Sequence, residues 1–128
     1  TNVKIARFCR KKRVLVNVAD MPAECTFIAP SIINSGNFTI AISSGGVSAI
    51  TKSFRKMLEK YLPKKFGRFC AFAGKIREFV KRNVKSQKDR ARIINQLFSV
   101  QTIQKLKRFG YAKTTLWVKK RLKQLLLE

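Results

Sequence analysis

The sequence predicts an α+β fold in three consecutive parts: the end of an open α/β unit, a short α+β segment with a β-hairpin, and an all-helical domain. A helical stripe and a β-branched run come first, two β-rich runs around a turn follow, and only helical periodicities appear after residue 62. With 128 residues, 45 % of them apolar, the chain is large enough for a packed core. We place the boundaries at 1–25, 26–62 and 63–128.

The first part reads as a helix followed by a strand. Val3, Ala6 and Cys9 share one helical stripe, which predicts a helix over residues 3–12. The run RVLVNV (13–18) is β-branched and has three consecutive apolar residues, as in a strand buried on both faces of a parallel sheet. Asp20 would stand at the carboxyl end of that strand, where open α/β sheets bind ligands.

Asp20 admits three interpretations. It lies in VNVADMPAEC (16–25) and is one of only six acidic residues in a chain of net charge +23. It could cap a helix, form a turn or act as a catalytic group. Taken alone, the stretch favours the turn.

The middle part predicts a hairpin and a helix. The runs TFIAPSII (26–33) and FTIAIS (38–43) flank NSGN, which predicts a four-residue loop. Pro30 restricts its strand to a sheet edge or a kink. The helix that follows begins at a Ser48 N-cap, ends at Pro63, and places Ile50, Phe54, Met57 or Leu58, and Tyr61 on one face.

Between strand and helix lies SSGG (43–46), which has two interpretations. Its glycines suit a tight turn, and its hydroxyls and backbone N–H groups, next to a helix N-terminus, suit an anion.

The third part consists of helices. One long apolar stripe comprises Phe66, Phe69, Cys70, Ala73, Ile76, Val80 and Val84. SQKD (86–89) interrupts it. The next stripes comprise Ala91, Ile94, Leu97 and Phe98, and then Ile103 and Leu106. Gly110 breaks the pattern, and a last helix over 112–127 would turn Leu116, Leu122 and Leu126 inward.

Charge narrows the class of partner. The chain has 29 Lys and Arg and only six Asp and Glu. The resulting positive electrostatic field attracts nucleic acid, an anionic membrane or a small ligand with many carboxylates or phosphates. Lys and Arg occur on nearly every predicted helix, which is also consistent with solvated outer faces that need no partner.

Several classes of protein are disfavoured. The chain has no His and only three separated cysteines, Cys9, Cys25 and Cys70, so we expect neither a Cys/His metal site nor a disulfide framework. No apolar run approaches the length of a membrane span, and the start does not resemble a signal peptide. We expect a cytoplasmic protein. Without His, acid–base chemistry is left to carboxylates, Cys, Tyr or Lys.

Residues 15–48 carry a specific resemblance. The stretch VNVADMPAECTFIAPSIINSGNFTIAISSGGVSAI resembles the siroheme synthase family of precorrin-2 dehydrogenases and sirohydrochlorin ferrochelatases. The matching residues are Asn17, Asp20, Pro22, Phe27, Pro30, Ser31, Ala41, Ser43, Ser44, Gly45, Gly46 and Ser48. A weaker likeness extends from residue 2 to about residue 100.

The chain departs from the family pattern in two places. Ala49 stands where the family usually has Pro, a change that the first turn of a helix tolerates. The family's glycine-rich dinucleotide loop is absent from these 128 residues, so we expect a fragment without most of the NAD-binding domain.

The resemblance implies a fold and an activity. Residues 1–25 would be the remnant of a Rossmann-like NAD-binding domain, 26–62 an α+β dimerisation domain and 63–128 a helical domain. The family oxidises precorrin-2 to sirohydrochlorin with NAD⁺, inserts Fe²⁺ and forms homodimers. Precorrin-2 carries eight carboxylates, which suits a strongly basic chain.

The resemblance also implies roles for residues. Asp20 matches the family's essential aspartate and would be the catalytic base. Residues 43–46 (Ser43, Ser44, Gly45 and Gly46) would hold substrate carboxylates. Asn2 would contact the nicotinamide cofactor, and Asn17 would orient the Asp20 loop or serve structure alone.

Two other functions compete with this one. A basic nucleic-acid-binding module would explain the charge, but the sequence contains no helix–turn–helix, RNP or zinc signature, so we regard nucleic acid as the weaker alternative. The second alternative is a scaffold protein that kept the dimer fold but lost catalytic activity, and the presence of Asp20 argues against it.

Overall fold

A computed structural model describes residues 2–127. Its elements are α1 (Asn2–Lys11), a 3₁₀ helix (Pro22–Glu24), β1 (Ser31–Ser35), β2 (Phe38–Ile42), α2 (Ser48–Tyr61), α3 (Phe66–Asn83), α4 (Gln87–Leu97) and α5 (Val100–Leu125). The predicted α+β class is confirmed: a two-stranded hairpin follows α1 and the 3₁₀ helix, and helices α2 to α5 come after it. The chain divides into two compact units. The first comprises residues up to 33 and Ile40–Lys60, and the second comprises Asn34–Thr39 and the residues from Tyr61 onward.

Helix α1 follows the predicted stripe. Ala6 is fully buried, and Val3 and Cys9 are half-buried on the same side. The last turn carries Arg10 and Lys11, whose charges suit the negative end of the helix dipole.

The strand predicted over residues 13–18 is wrong. This segment has no regular secondary structure and pairs with no strand among residues 2–127. Arg13 has a left-handed φ of 56°, and Val14 and Leu15 are exposed. A strand buried on both faces needs a neighbour on each side to bond its backbone groups. Within the part of the chain that the structure describes, only residues 25–27 lie beside this segment, and most of their hydrogen bonds to it involve side chains.

The predicted hairpin is confirmed, with a tighter turn. Residues Gly36 and Asn37 alone connect the strands, where a four-residue loop was predicted. Gly36 has φ of 59°. Because a positive φ at the first central position is typical of a type II′ turn, Gly suits it without steric cost.

The second unit has the main hydrophobic core. Helices α3, α4 and α5 pack on one another through a cluster of buried residues: Phe66, Phe69, Ile76, Val80, Ile93, Leu97, Leu106, Val118, Leu122 and Leu125. The α3 stripe is confirmed. In α4 the inward residues include Ile93, while Ala91 is exposed. Partial burial also raises the pKa of the Cys70 thiol.

Helix α5 is bent where the sequence predicted a break. Gly110 has φ of 79° and ψ of 177°, which no α-helix contains. The face predicted for the segment after it is largely wrong. Leu122 is buried, but Leu116 and Leu126 are exposed, and Thr114, Val118 and Leu125 face inward instead. Leu116 and Leu122 lie six residues apart, which places them on different faces of a helix with 3.6 residues per turn, so the predicted set does not form one stripe.

Of the helices within residues 2–127, none combines the length and apolar character that crossing a membrane requires.

Candidate functional site

Asp20 occupies a tight turn. The Met21 N–H donates to the Val18 carbonyl oxygen over 3.4 Å, and Asp20 has φ of 59°. Asp is one of the few residues other than Gly that tolerates this left-handed conformation. Met21, not Asp20, stands at the N-cap position of the following 3₁₀ helix, so the cap interpretation is wrong.

Side chains on the neighbouring segment support this turn. The Val18 N–H donates to Cys25 Sγ over 3.1 Å, and the Cys25 thiol lies 3.4 Å from the carbonyl oxygens of both Val18 and Met21. The Val16 N–H donates to Thr26 Oγ1 over 2.7 Å. Cys25 therefore ties together the two ends of the turn that presents Asp20. Sequence reasoning missed this role, because a thiol that bonds backbone groups leaves no spacing signal.

Asn17 has a visible structural function. Its Nδ2 donates to the Phe27 carbonyl oxygen over 3.0 Å, across the same pair of segments. This bond steadies the chain three residues before Asp20. The side chain is nevertheless exposed, so it remains accessible from solvent.

Helix α1 holds the other side of the loop. Arg10 Nη2 donates to the Ala23 carbonyl oxygen over 2.8 Å and lies 3.6 Å from Glu24 Oε2. The 3₁₀ helix after Asp20 is thus anchored to α1.

Asp20 differs from the other acidic residues in its surroundings. Residues 2–127 contain five carboxylates, and four of them pair with an arginine, in the pairs Arg10–Glu24, Arg55–Glu59, Arg77–Glu78 and Arg92–Asp89. Within the same residues Asp20 has no hydrogen bond or ion pair and is exposed. Its carboxylate is therefore free to accept a proton or bind a ligand.

The SSGG loop forms a second tight turn. The Ser44 hydroxyl donates to the Val47 carbonyl oxygen over 2.8 Å, and Gly45 and Gly46 have φ of 65° and 109°. A cavity of about 70 Å³ is lined by Ser43, Ser44, Gly46 and Ser48, among others. This volume is well below the range of about 300–1,000 Å³ that ligand pockets occupy, so the cavity does not enclose a macrocycle.

Two predicted site residues share a cavity, and a third approaches the segment that follows Asp20. A Cβ on Gly46 would lie 3.2 Å from Pro22 Cγ, so the SSGG loop contacts the loop that carries Asp20. Asn2 and Asn17 line one cavity of about 230 Å³ together with Ala19, the residue before Asp20. Asp20 itself lines neither cavity.

The fit of a dinucleotide is partial. The cavity at Asn2 and Asn17 is below the range of about 300–1,000 Å³ that ligand pockets occupy. No glycine-rich phosphate loop accompanies it in the sequence. By its size, the cavity does not enclose a whole dinucleotide. Residues 2–127 also bring together no three Cys, Asp or Glu side chains that could hold a metal ion.

Comparison with known proteins defines first a class and then a family. Residues 1–31 match a family described as putative NAD(P)-binding.

The chain belongs to the siroheme synthase family. The chain is 38 % identical over 92 residues to the siroheme synthase of Nitrosospira multiformis, covering 71 % of this chain and 20 % of the relative. It is 35 % identical over 98 residues to siroheme synthase 2 of Cronobacter sakazakii, covering 76 % and 21 %. It is 36 % identical over 107 residues to the siroheme synthase of Actinobacillus succinogenes, covering 83 % and 22 %. The predicted resemblance is confirmed, and the chain spans about a fifth of the length of these relatives.

Proposed function

We propose that this chain is the part of a siroheme-forming enzyme that carries the catalytic carboxylate. The reaction is the NAD-dependent oxidation of precorrin-2 to sirohydrochlorin, and the same site then serves the insertion of Fe²⁺. The observation that carries the proposal is Asp20, the one carboxylate within residues 2–127 that no arginine neutralises. The similarity to siroheme synthases supplies the substrate class.

Asp20 would accept protons in both steps. Oxidation removes a hydride and a proton from precorrin-2, and NAD⁺, when bound, takes the hydride. The Asp20 carboxylate takes the proton and passes it to water. Insertion of Fe²⁺ releases two pyrrole N–H protons, which the same exposed carboxylate can take in turn. Hydrogen bonds within and beside the turn fix the backbone from which the Asp20 carboxylate extends in both steps.

The neighbouring loops would hold the substrate and the edge of the cofactor. Ser43 and the backbone of Gly45 and Gly46 face a cavity or solvent and would bind one substrate carboxylate, while Ser44 uses its proton within the loop. Asn2 would contact the nicotinamide side of NAD, and Asn17 would keep the Asp20 loop in position.

The same proposal includes a homodimer and a cytoplasmic location. Helix α2 exposes Ile50, Phe54 and Met57 side by side, an apolar surface of the kind that a second copy of the chain would cover. The domain division at 1–25, 26–62 and 63–128 stays a prediction.

The test distinguishes the catalytic role of the Asp20 carboxylate from the structural role of Asp20 in the turn. Asp20→Asn removes the charge, and Asn tolerates the same left-handed backbone, so the fold is kept. In a full-length protein that contains this segment, we expect Asp20→Asn to lower NADH formation from precorrin-2 by at least about 100-fold, the range of general-base catalysis.

Glu59→Gln is the matched control. It removes one negative charge from an exposed ion pair with Arg55 on α2 and should leave the rate unchanged. NADH formation by Asp20→Asn at the wild-type rate would refute the assignment of Asp20.

A further inference from the structure

A large cavity in the second unit has no part in the proposed reaction. Its volume is about 1170 Å³, and it is lined by residues 62–65, the first turn of α3 and both halves of the bent helix α5. Six of its lining residues are cations: Lys64, Lys65, Arg68, Lys107, Arg108 and Lys119. None of its lining residues is acidic.

The charge in this cavity is not neutralised. Within residues 2–127, none of these six cations forms an ion pair with a carboxylate. The four arginines that form ion pairs do not line this cavity. Three of the cations instead lie over aromatic rings: Arg68 over Tyr111 at 4.6 Å, Lys107 over Tyr61 at 5.4 Å and Arg108 over Phe109 at 5.1 Å. Such contacts orient a cation without cancelling its charge. Repulsion among six like charges destabilises the empty cavity, and a bound anion relieves it.

The cavity also has an apolar wall. Leu62, Pro63 and Leu106 line it beside the ring of Tyr111, and Leu116 is an exposed leucine at the same place. Cationic groups around an apolar surface suit a ligand with anionic groups around an apolar or aromatic body.

Two residues with unusual backbone conformations line this cavity. Lys65 has φ of 62°, unusual for a residue with a long side chain, and Gly110 has φ of 79° with ψ of 177°. Both residues line the cavity. Strained backbone of this kind persists where the surrounding structure maintains it, and it is frequent at ligand sites.

We propose that this cavity binds a small organic polyanion, an apolar or aromatic molecule that carries several carboxylates or phosphates. A concave pocket suits a small molecule, whereas a nucleic-acid surface would spread its cations along a groove or a helix face. The proposal does not rest on the activity proposed above, because binding is measured without NAD, iron or turnover.

The experiment compares two pairs of substitutions in the full chain. Arg68→Gln with Lys107→Gln removes two cavity cations, one on α3 and one on α5. Lys75→Gln with Lys123→Gln removes two exposed cations from the same two helices outside the cavity. Both pairs lower the net charge by two. The probes are uroporphyrin, an octacarboxylate macrocycle followed by its fluorescence, and ATP, followed by calorimetry.

We expect at least one probe to bind with saturation at one per chain. The cavity pair should weaken that binding by roughly tenfold or more, since each charge-assisted hydrogen bond contributes about that factor. The control pair should change it by less than about twofold. Tighter binding of uroporphyrin would show that the cavity prefers carboxylate groups, and tighter binding of ATP would show that it prefers phosphate groups.

Three results would overturn the proposal. Equal losses in the two pairs would show a diffuse charge effect. If neither probe binds with saturation, the cavity is not a binding site for such ligands. Displacement of both probes by generic duplex DNA, with losses in both pairs, would make the cavity part of a nucleic-acid surface.

Discussion

Asp20 shows how one residue can serve both structure and chemistry. Its backbone has the left-handed conformation that the turn requires. Among the carboxylates of residues 2–127, that of Asp20 is the one that forms no ion pair with an arginine. The sequence predicted the turn from local preference and the chemistry from resemblance. It could not predict the absence of a partner, because the pairing of the other carboxylates depends on side-chain contacts that only the folded chain makes.

At the same scale, two glycines should respond in opposite ways to the same substitution. Gly110 has φ of 79° and ψ of 177°, a region that is essentially restricted to glycine. We expect Gly110→Ala to lower the free energy of unfolding by about 1–3 kcal/mol, measured by urea denaturation.

Gly74 provides the control. It lies inside α3, is exposed, and a Cβ there would meet nothing within 4 Å. Gly74→Ala should raise the free energy of unfolding by about 0.5–1 kcal/mol, because Ala is the better helix former. A neutral Gly110→Ala would show that the bend does not depend on glycine.

At the scale of elements, hairpin and helices were predictable and the strand over residues 13–18 was not. The hairpin depends on a turn of two residues, and α3 on a regular apolar stripe, so both are encoded locally. A strand buried in a sheet depends on neighbours elsewhere in the chain, which a run of apolar residues does not reveal.

The hairpin turn and α3 make a close contact that the sequence did not indicate. The Gly67 N–H donates to Ser35 Oγ over 3.2 Å, and the rings of Phe38 and Phe66 lie 4.6 Å apart, edge to face. A Cβ on Gly67 would overlap the Ser35 carbonyl group.

We therefore expect Gly67→Ala to be strongly destabilising. Overpacking against backbone typically costs about 1–3 kcal/mol, and here no flexible side chain can move aside. Thermal unfolding followed by circular dichroism should show a clear fall in Tm, while Gly74→Ala on the same helix should not lower it. An unchanged Tm for Gly67→Ala would mean that the hairpin turn does not rest on α3.

At the scale of the whole molecule, charge and exposed apolar surface both indicate partners. The chain has a net charge of +23, and the four ion pairs seen within residues 2–127 neutralise few of its cations. Helix α2 leaves Phe54 45 % exposed between Ile50 and Met57. Such a surface fits the proposed homodimer.

The oligomeric state tests that part of the proposal. Light scattering should give twice the chain mass of 14.7 kDa for the wild type and the single mass for Phe54→Glu, which places a charge in the apolar surface. Lys56→Gln changes the net charge by the same amount on the opposite side of α2 and should remain dimeric. A wild-type monomer, or a Phe54→Glu dimer, would contradict the proposed interface.

The sequence alone determined the features that depend on neighbouring residues: the α+β class, the hairpin around NSGN, the α3 stripe, the break at Gly110 and the motif around Asp20. Local backbone preference and side-chain period suffice for these. Tertiary structure decided the inward face of α5, because packing against α3 and α4 determines which side chains are buried. It also decided that Lys64, Lys65 and Arg68 share a cavity with Lys107, Arg108 and Lys119, since residues far apart in sequence converge only when helices pack.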